Sequence, residues 1–193
     1  MLNDMLYYKS YETIGGEKFM APAPNLGHNS IITELITNIN SYCRQNNCGR
    51  VFGDNTDVHL PDGNLFKPDL VVIKKENYSI MNWQGAIYGV PDMVVEVLSR
   101  STRVRDLTVK KDAYESNGVK EYWIVDPYMK TVDVYILQDG KYKLDGSYTK
   151  FTEYDWEGLN EEEKAAAKFE IKVSIFDDLF IKLDDIFSWG FDD

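Results

Sequence analysis

Two carboxylates stand in segments too apolar to hold them without a reason. Asp69 follows Pro68 and leads into Leu-Val-Val-Ile, and Glu96 lies inside Met-Val-Val-Glu-Val-Leu. An ionised carboxyl group is expensive to bury unless a cation or several hydrogen bonds compensate. Two such groups on neighbouring strands can share a hard divalent cation such as Mg2+ or Mn2+, which takes oxygen ligands and often only one or two carboxylates. Pairing of each acid with a nearby Arg or Lys is the other explanation. A basic partner is available on the helix expected over residues 103–117. At about 100° per residue, Arg103, Asp106, Lys110 and Tyr114 fall on one stripe. Asp106 and Lys110, four apart, form an ion pair of little consequence, or the stripe faces the carboxylates. In the second case Lys110 reaches the attacking water and offsets negative charge as it develops.

These residues need elements to position them. Residues 11–21 read as a hairpin turning at Gly15-Gly16, followed by a Pro-containing loop to residue 27. Ile31, Ile32, Leu35, Ile36, Ile39, Tyr42 and Cys43 recur at helical spacing and predict a helix of about four turns. Strands are expected over 50–53, 56–60 and 68–73, with a turn at Pro61-Asp62-Gly63-Asn64 between the second and third. Residues 74–90 read as loop. The valine-rich run 93–99 predicts a central strand, and Gly118 sits where a helix C-cap glycine belongs. A strand over 121–125, a hairpin over 131–137 and 141–144, and a short helix over 161–168 follow. The end carries ten apolar residues between Ile171 and Phe187, enough to pack back on the rest. This order predicts an α/β fold with a mixed sheet flanked by helices, and a single domain over 1–193.

Charge and composition narrow the function. The net charge is −11, but residues 153–193 hold 13 acids and 4 lysines, and the first 152 residues are nearly balanced. Between Arg100 and Lys111 the chain is locally basic, which allows a phosphate-binding surface or a solvated helix face. Cys43 and Cys48, with only His28 and His59, make a zinc site improbable and predict reduced thiols. No apolar run of about 18 residues predicts a membrane span. The N-terminus lacks a basic start followed by an apolar stretch, so a cytoplasmic protein is expected.

The pieces around these acids form a familiar combination. Gly89-Val-Pro-Asp-Met-Val-Val-Glu-Val-Leu-Ser-Arg-Ser-Thr102 continues into Asp106, Lys110, Tyr114, Gly118-Val119 and Glu121-Tyr-Trp-Ile-Val-Asp-Pro127. Pro68-Asp69-Leu-Val-Val and His28 at the opening of the first helix accompany it. With these the sequence resembles the bacterial Uma-two family of restriction-endonuclease-like proteins, within the PD-(D/E)XK nuclease superfamily. The resemblance runs from about Tyr11 to Leu137, with a weaker echo at the apolar end. It implies a restriction-endonuclease-like core, a DNA substrate and hydrolysis of a phosphodiester by metal-activated water. It implies Asp69 and Glu96 as metal ligands, with the backbone carbonyl of Val97 as a further one. The lysine that the wider superfamily carries two residues after the glutamate is replaced by Leu98. The resemblance moves its role to Lys110 on the helix.

Accessory candidates keep two roles each. Asp92 is a third acid or a turn residue, and Glu34 a helix-borne acid or a surface residue. His28 orients a phosphate or water, or helps start the helix. Tyr114 bonds Glu96 or Lys110, or is core. Arg100, Arg103, Arg105 and Lys111 are candidates for DNA backbone contacts. A homodimer would suit cutting of both strands. The alternative function is a catalytically inactive nucleic-acid-binding or assembly protein on the same fold. The acidic C-terminal segment, in a third view, mimics DNA charge and covers the site.

Overall fold

Gly15 and Gly16 have φ of 58° and 85°, the left-handed pair that a two-residue hairpin turn requires. They join β1 (Tyr11–Ile14) to β2 (Glu17–Met20), as the sequence predicts. The computed structural model describes residues 11–20 and 25–188; most of the loop expected before the first helix falls outside them. α1 (Leu26–Asn46) is longer than expected. The Asn25 side chain caps it by accepting from the His28 N–H, and nothing in the polar last turn stops it before Asn47, which turns left-handed at φ 48°.

The next strands are β3 (Gly49–Gly53), β4 (Val58–His59), β5 (Leu65–Phe66), β6 (Leu70–Lys74), β7 (Ile87–Tyr88) and β8 (Met93–Val97). The segment read as loop carries a 3-10 turn at Lys75–Ile80 before β7. α2 runs from Arg103 to Asn117 in three parts: α-helical Arg103–Arg105, π-helical Asp106–Lys110 and α-helical Lys111–Asn117. Gly118 closes it at φ 89°. β9 (Glu121–Asp126) leads into the hairpin β10 (Thr131–Gln138) and β11 (Lys141–Thr149). α3 (Glu153–Gly158), with a Thr152–Asp155 capping box, was not expected; α4 (Glu161–Ala166), β12 (Glu170–Lys172), β13 (Phe180–Lys182) and α5 (Leu183–Ile186) complete the fold.

Six strands form the main sheet in the order β11-β10-β9-β8-β6-β3. All neighbours are antiparallel except β8 and β9, whose parallel pairing uses α2 as the crossover. A second sheet has the order β2-β1-β5-β4-β7. Alternation along the main strands divides the core in two. Leu70, Val72, Met93, Val95, Trp123 and Val125 face α1 and the C-terminal elements. Val71, Ile73, Val94, Tyr122 and Ile124 face α2 and the second sheet. Both faces are therefore covered, which explains why β8 is buried along its whole length.

The C-terminal segment serves the first face. Ile171, Val173, Ile181, Leu183 and Ile186 are buried in the same cluster as Ile31, Leu35 and Ile39 of α1. Burying each such side chain contributes about 1.5–3 kcal/mol. The acid pair lies on the other face. Among the described residues, the segment makes no hydrogen bond or ion pair to Asp69, Glu96 or Lys110. For residues 171–187 that placement differs from a cover over the site: their apolar side chains are buried beneath the opposite face.

No helix among the described residues is long and apolar enough to cross a membrane.

Candidate active site

Register brings the two acids together. β6 and β8 pair Leu70 with Val95 and Val71 with Val94, so one step further on Asp69 stands opposite Glu96. Directly opposed residues share a face, and like charges there are destabilising. Asp69 Oδ2 accepts the Val97 N–H at 2.7 Å and lies 3.2 Å from His28 Nε2. Among the described residues its Oδ1 has no hydrogen-bond partner.

Lys110 reaches the same place from α2. Its Nζ lies 3.1 Å from both Glu96 oxygens, 3.3 Å from Asp106 Oδ1 and 2.8 Å from Glu12 Oε1. The Tyr114 hydroxyl donates to Glu96 Oε1 at 2.9 Å. Both expectations for Lys110 therefore hold at once: it pairs with Asp106 and it faces the strand acid. The helix adopts its wider π turn where Asp106 and Lys110 both point inward, a distortion often found at functional sites. The Tyr122 hydroxyl donates to the Asp106 carbonyl at 2.9 Å.

Glu12 is a member that sequence reasoning missed. It is 2 % exposed on β1. Its Oε1 accepts the Lys67 N–H at 3.1 Å, and its Oε2 lies 3.6 Å from Arg105 Nη1. A signal existed: the alternation that turns Ile14 inward turns Glu12 inward too. Arg105 also packs over the Phe19 ring at 4.9 Å. Its side chain, 19 % exposed, lies between Glu12 and that ring.

The cluster holds four acids, Glu12, Asp69, Glu96 and Asp106, against two cations, Lys110 and Arg105. Burial raises the Glu96 carboxyl well above the ordinary range; Lys110 opposes this, and Asp106, Asp69 and Glu12 add to it. Burial likewise raises Asp106, against the pull of Lys110. Burial alone would lower Lys110, but Glu96, Asp106 and Glu12 outweigh it and raise it, which favours the ammonium form. Burial also lowers His28, and the Asp69 hydrogen bond and charge more than reverse this.

Asp92, at the opposite end of the β8 segment, accepts the Lys74 N–H at 2.8 Å and the Asn77 amide at 2.9 Å, and pairs with Lys120 at 2.8 Å. Glu34 is half-buried on α1. Arg103 pairs with Asp126, Arg100 lies over the Tyr128 ring at 5.8 Å, and Lys111 over the Tyr135 ring at 3.5 Å.

Comparison with known proteins agrees with this architecture. The family model Uma2, described as "Putative restriction endonuclease", matches residues 7–157. The chain belongs to the Uma2 family. A crystal structure titled as "a putative nuclease belonging to DUF820 from Anabaena variabilis ATCC 29413" matches with a TM-score of 0.64 and 21 % identity. The match covers 94 % of this chain and 92 % of that one, and at this identity it shows the fold. The restriction-endonuclease-like mixed sheet expected from the sequence is thus the observed fold. Comparison with curated proteins gives no match.

The donor set of this Uma2 member fits a hard divalent cation. Among the described residues, no three His, Cys, Asp or Glu side chains converge as a metal cage. What they offer is an opposed pair of carboxyl groups, an Asp69 oxygen without a hydrogen-bond partner and more acidic than basic side chains. Mg2+ commonly takes one or two carboxylates and fills its remaining positions with water and phosphate oxygens.

Proposed function

We propose that the chain is a metal-dependent endodeoxyribonuclease that hydrolyses DNA phosphodiester bonds. The observation that carries this is the opposition of Asp69 and Glu96 across β6 and β8, with Lys110 Nζ 3.1 Å from Glu96. Asp69 and Glu96 are assigned to hold Mg2+ or Mn2+. Val97 uses its N–H on Asp69; its carbonyl, on the same edge of an extended strand, is the third oxygen we assign. When bound, such a cation supplies Lewis-acid polarisation of a phosphoryl oxygen and makes water a stronger acid.

The chain's own residues do the rest. Glu96, Asp106 and Glu12 around Lys110 favour its charged form, so we assign it an electrostatic role. It acts as a fixed positive charge that offsets, through space, negative charge building on the phosphorane oxygens. Tyr114 fixes the Glu96 carboxylate, and Asp106 and Glu12 fix the Lys110 head. His28 orients Asp69 from α1. Arg100, in the turn before α2, and Arg103, at its start, are both exposed and are assigned to backbone phosphates, which position a duplex without reading its sequence. Two such sites in a homodimer would cut both strands.

One observation favours a second function. Both Glu96 oxygens already receive hydrogen bonds from Lys110, and one also from Tyr114. That network is complete enough to keep the fold in a DNA-binding or assembly protein that does not cut. Plasmid nicking in Mg2+ or Mn2+ separates the two. Nicking by the wild type, lost in Asp69→Ala and Glu96→Ala, supports the nuclease. DNA binding without nicking in either metal supports the second function.

A further inference from the structure

β1 borders two different environments. Glu12 joins the acid cluster, and its neighbour Tyr11 lines a cleft of about 750 Å³. That size lies within the roughly 300–1,000 Å³ typical of small-molecule sites. Lys67 is shared between them. Its backbone N–H donates to Glu12 Oε1, the oxygen that also meets Lys110, and Lys67 also lines the cleft. The cleft is therefore built against the carboxylate that braces the proposed catalytic lysine.

Trp83 gives the cleft its chemistry. It is 71 % exposed, which leaves a large ring in water. A closed turn holds it there: the Asn82 N–H donates to the Ala86 carbonyl at 2.9 Å, the Gly85 N–H to the Asn82 carbonyl at 2.9 Å, and the Gln84 N–H to Asn82 Oδ1 at 3.1 Å. Phe52 meets its ring edge-on, with centroids 6.1 Å apart at 61°. Asp57 and Lys67, an ion pair, add an acceptor and a donor to the lining. As a pair they carry no net charge, so the cleft does not favour phosphate. Exposed ring faces beside an adjacent acceptor and donor suit a planar heterocycle with N–H and C=O groups on its edge.

We infer that this cleft takes one unstacked nucleobase of the DNA strand being processed. Trp83 and Phe52 supply the aromatic surfaces, and Asp57 and Lys67 the polar contacts. The inference rests on the DNA substrate proposed above and adds a place where a base leaves the stack. Base–aromatic stacking tolerates any sequence, so the cleft senses whether a base is free before it senses which base it is.

The test uses a short single-stranded oligonucleotide carrying several 2-aminopurines, titrated in EDTA so that no cleavage occurs. Wild type, Trp83→Ala, Trp83→Phe and Asp69→Ala are compared, and cleavage is assayed separately in Mg2+. Wild-type binding is expected to change the 2-aminopurine fluorescence. Trp83→Ala is expected to weaken binding by about tenfold or more, and Trp83→Phe to retain most of it. Asp69→Ala is expected to bind like wild type while losing cleavage. Equal binding by wild type and Trp83→Ala, or no fluorescence change with wild type, overturns the cleft as a base site and leaves the nuclease proposal to its own assay. A Trp83-dependent signal in a protein that never cleaves supports the cleft and overturns the nuclease.

Discussion

The β8 segment carries two buried carboxylates four residues apart, and their surroundings differ. Asp92 is 1 % exposed and meets a backbone N–H, an amide and an ammonium. Glu96 is 2 % exposed and shares Lys110 with Glu12 and Asp106, while Asp69 faces it across the strand. Asp92 is matched by its donors, and its demands end there. Among the described residues, the Glu96 cluster has more acidic than basic side chains and an Asp69 oxygen without a hydrogen-bond partner. Burial of an acid therefore says little by itself; a local excess of acidic side chains over basic ones is what distinguishes a site from a structural tie.

The largest effect should come from Lys110→Ala. It leaves Glu12, Glu96 and Asp106 facing one another and should cost about 3–5 kcal/mol in urea denaturation. Cleavage should fall by about 10²–10³. Millimolar Mg2+ should raise the denaturation midpoint of this variant more than that of wild type; an equal rise would mean that the surplus is not electrostatic. Asp92→Ala should cost about 3 kcal/mol, yet leave cleavage by the folded protein unchanged. Reduced cleavage at full folding would break the contrast between the two acids.

Glu121 provides a further buried acid and a pH test. Burial raises its carboxyl to about 7, although Trp123, Ser174 and Ile175 hydrogen bonds pull the other way. The folded state then holds the proton more tightly than the unfolded chain. Stability should fall as pH rises from about 4.5 through 7, by up to roughly 3 kcal/mol. Glu121→Gln should flatten that part of the curve in thermal melts at pH 5 and pH 8.

The smallest stability effect belongs to His28→Ala, about 1 kcal/mol at pH 6. The His28 pKa is raised, so its contribution is present below about 6.5 and fades as pH rises through the folded value. Equal losses at pH 6 and pH 9 would deny the Asp69 pairing. Metal affinity, read separately, should drop by about 10–100-fold, as for residues that orient a ligand.

Much of this was legible because it rests on local pattern. Gly15-Gly16 dictated a tight hairpin, the spacing from Ile31 to Cys43 dictated one face of α1, and Gly118 marked the end of α2. Asp69, Glu96 and Lys110 stood out because their neighbours are apolar or share a helical stripe. Glu12 did not stand out. Its strand has four residues, and its partners Lys67 and Lys110 are far away in sequence. The π turn was hidden for a related reason: it follows from packing of Asp106 and Lys110 inward, not from any residue that favours it. Trp83 lay in a segment without periodicity, and its turn closes through backbone bonds that composition does not reveal. The Thr152–Asp155 capping box was readable and announces α3.

The central claim is that Asp69 and Glu96 form a divalent-cation site. Calorimetric titration of Mn2+ and Mg2+ into wild type, Asp69→Ala, Glu96→Ala and Asp92→Ala tests it directly. Binding by wild type and Asp92→Ala, lost in Asp69→Ala and Glu96→Ala, is the predicted result. Wild type that binds neither metal at millimolar concentration, or binding that survives in both Asp69→Ala and Glu96→Ala, would contradict it.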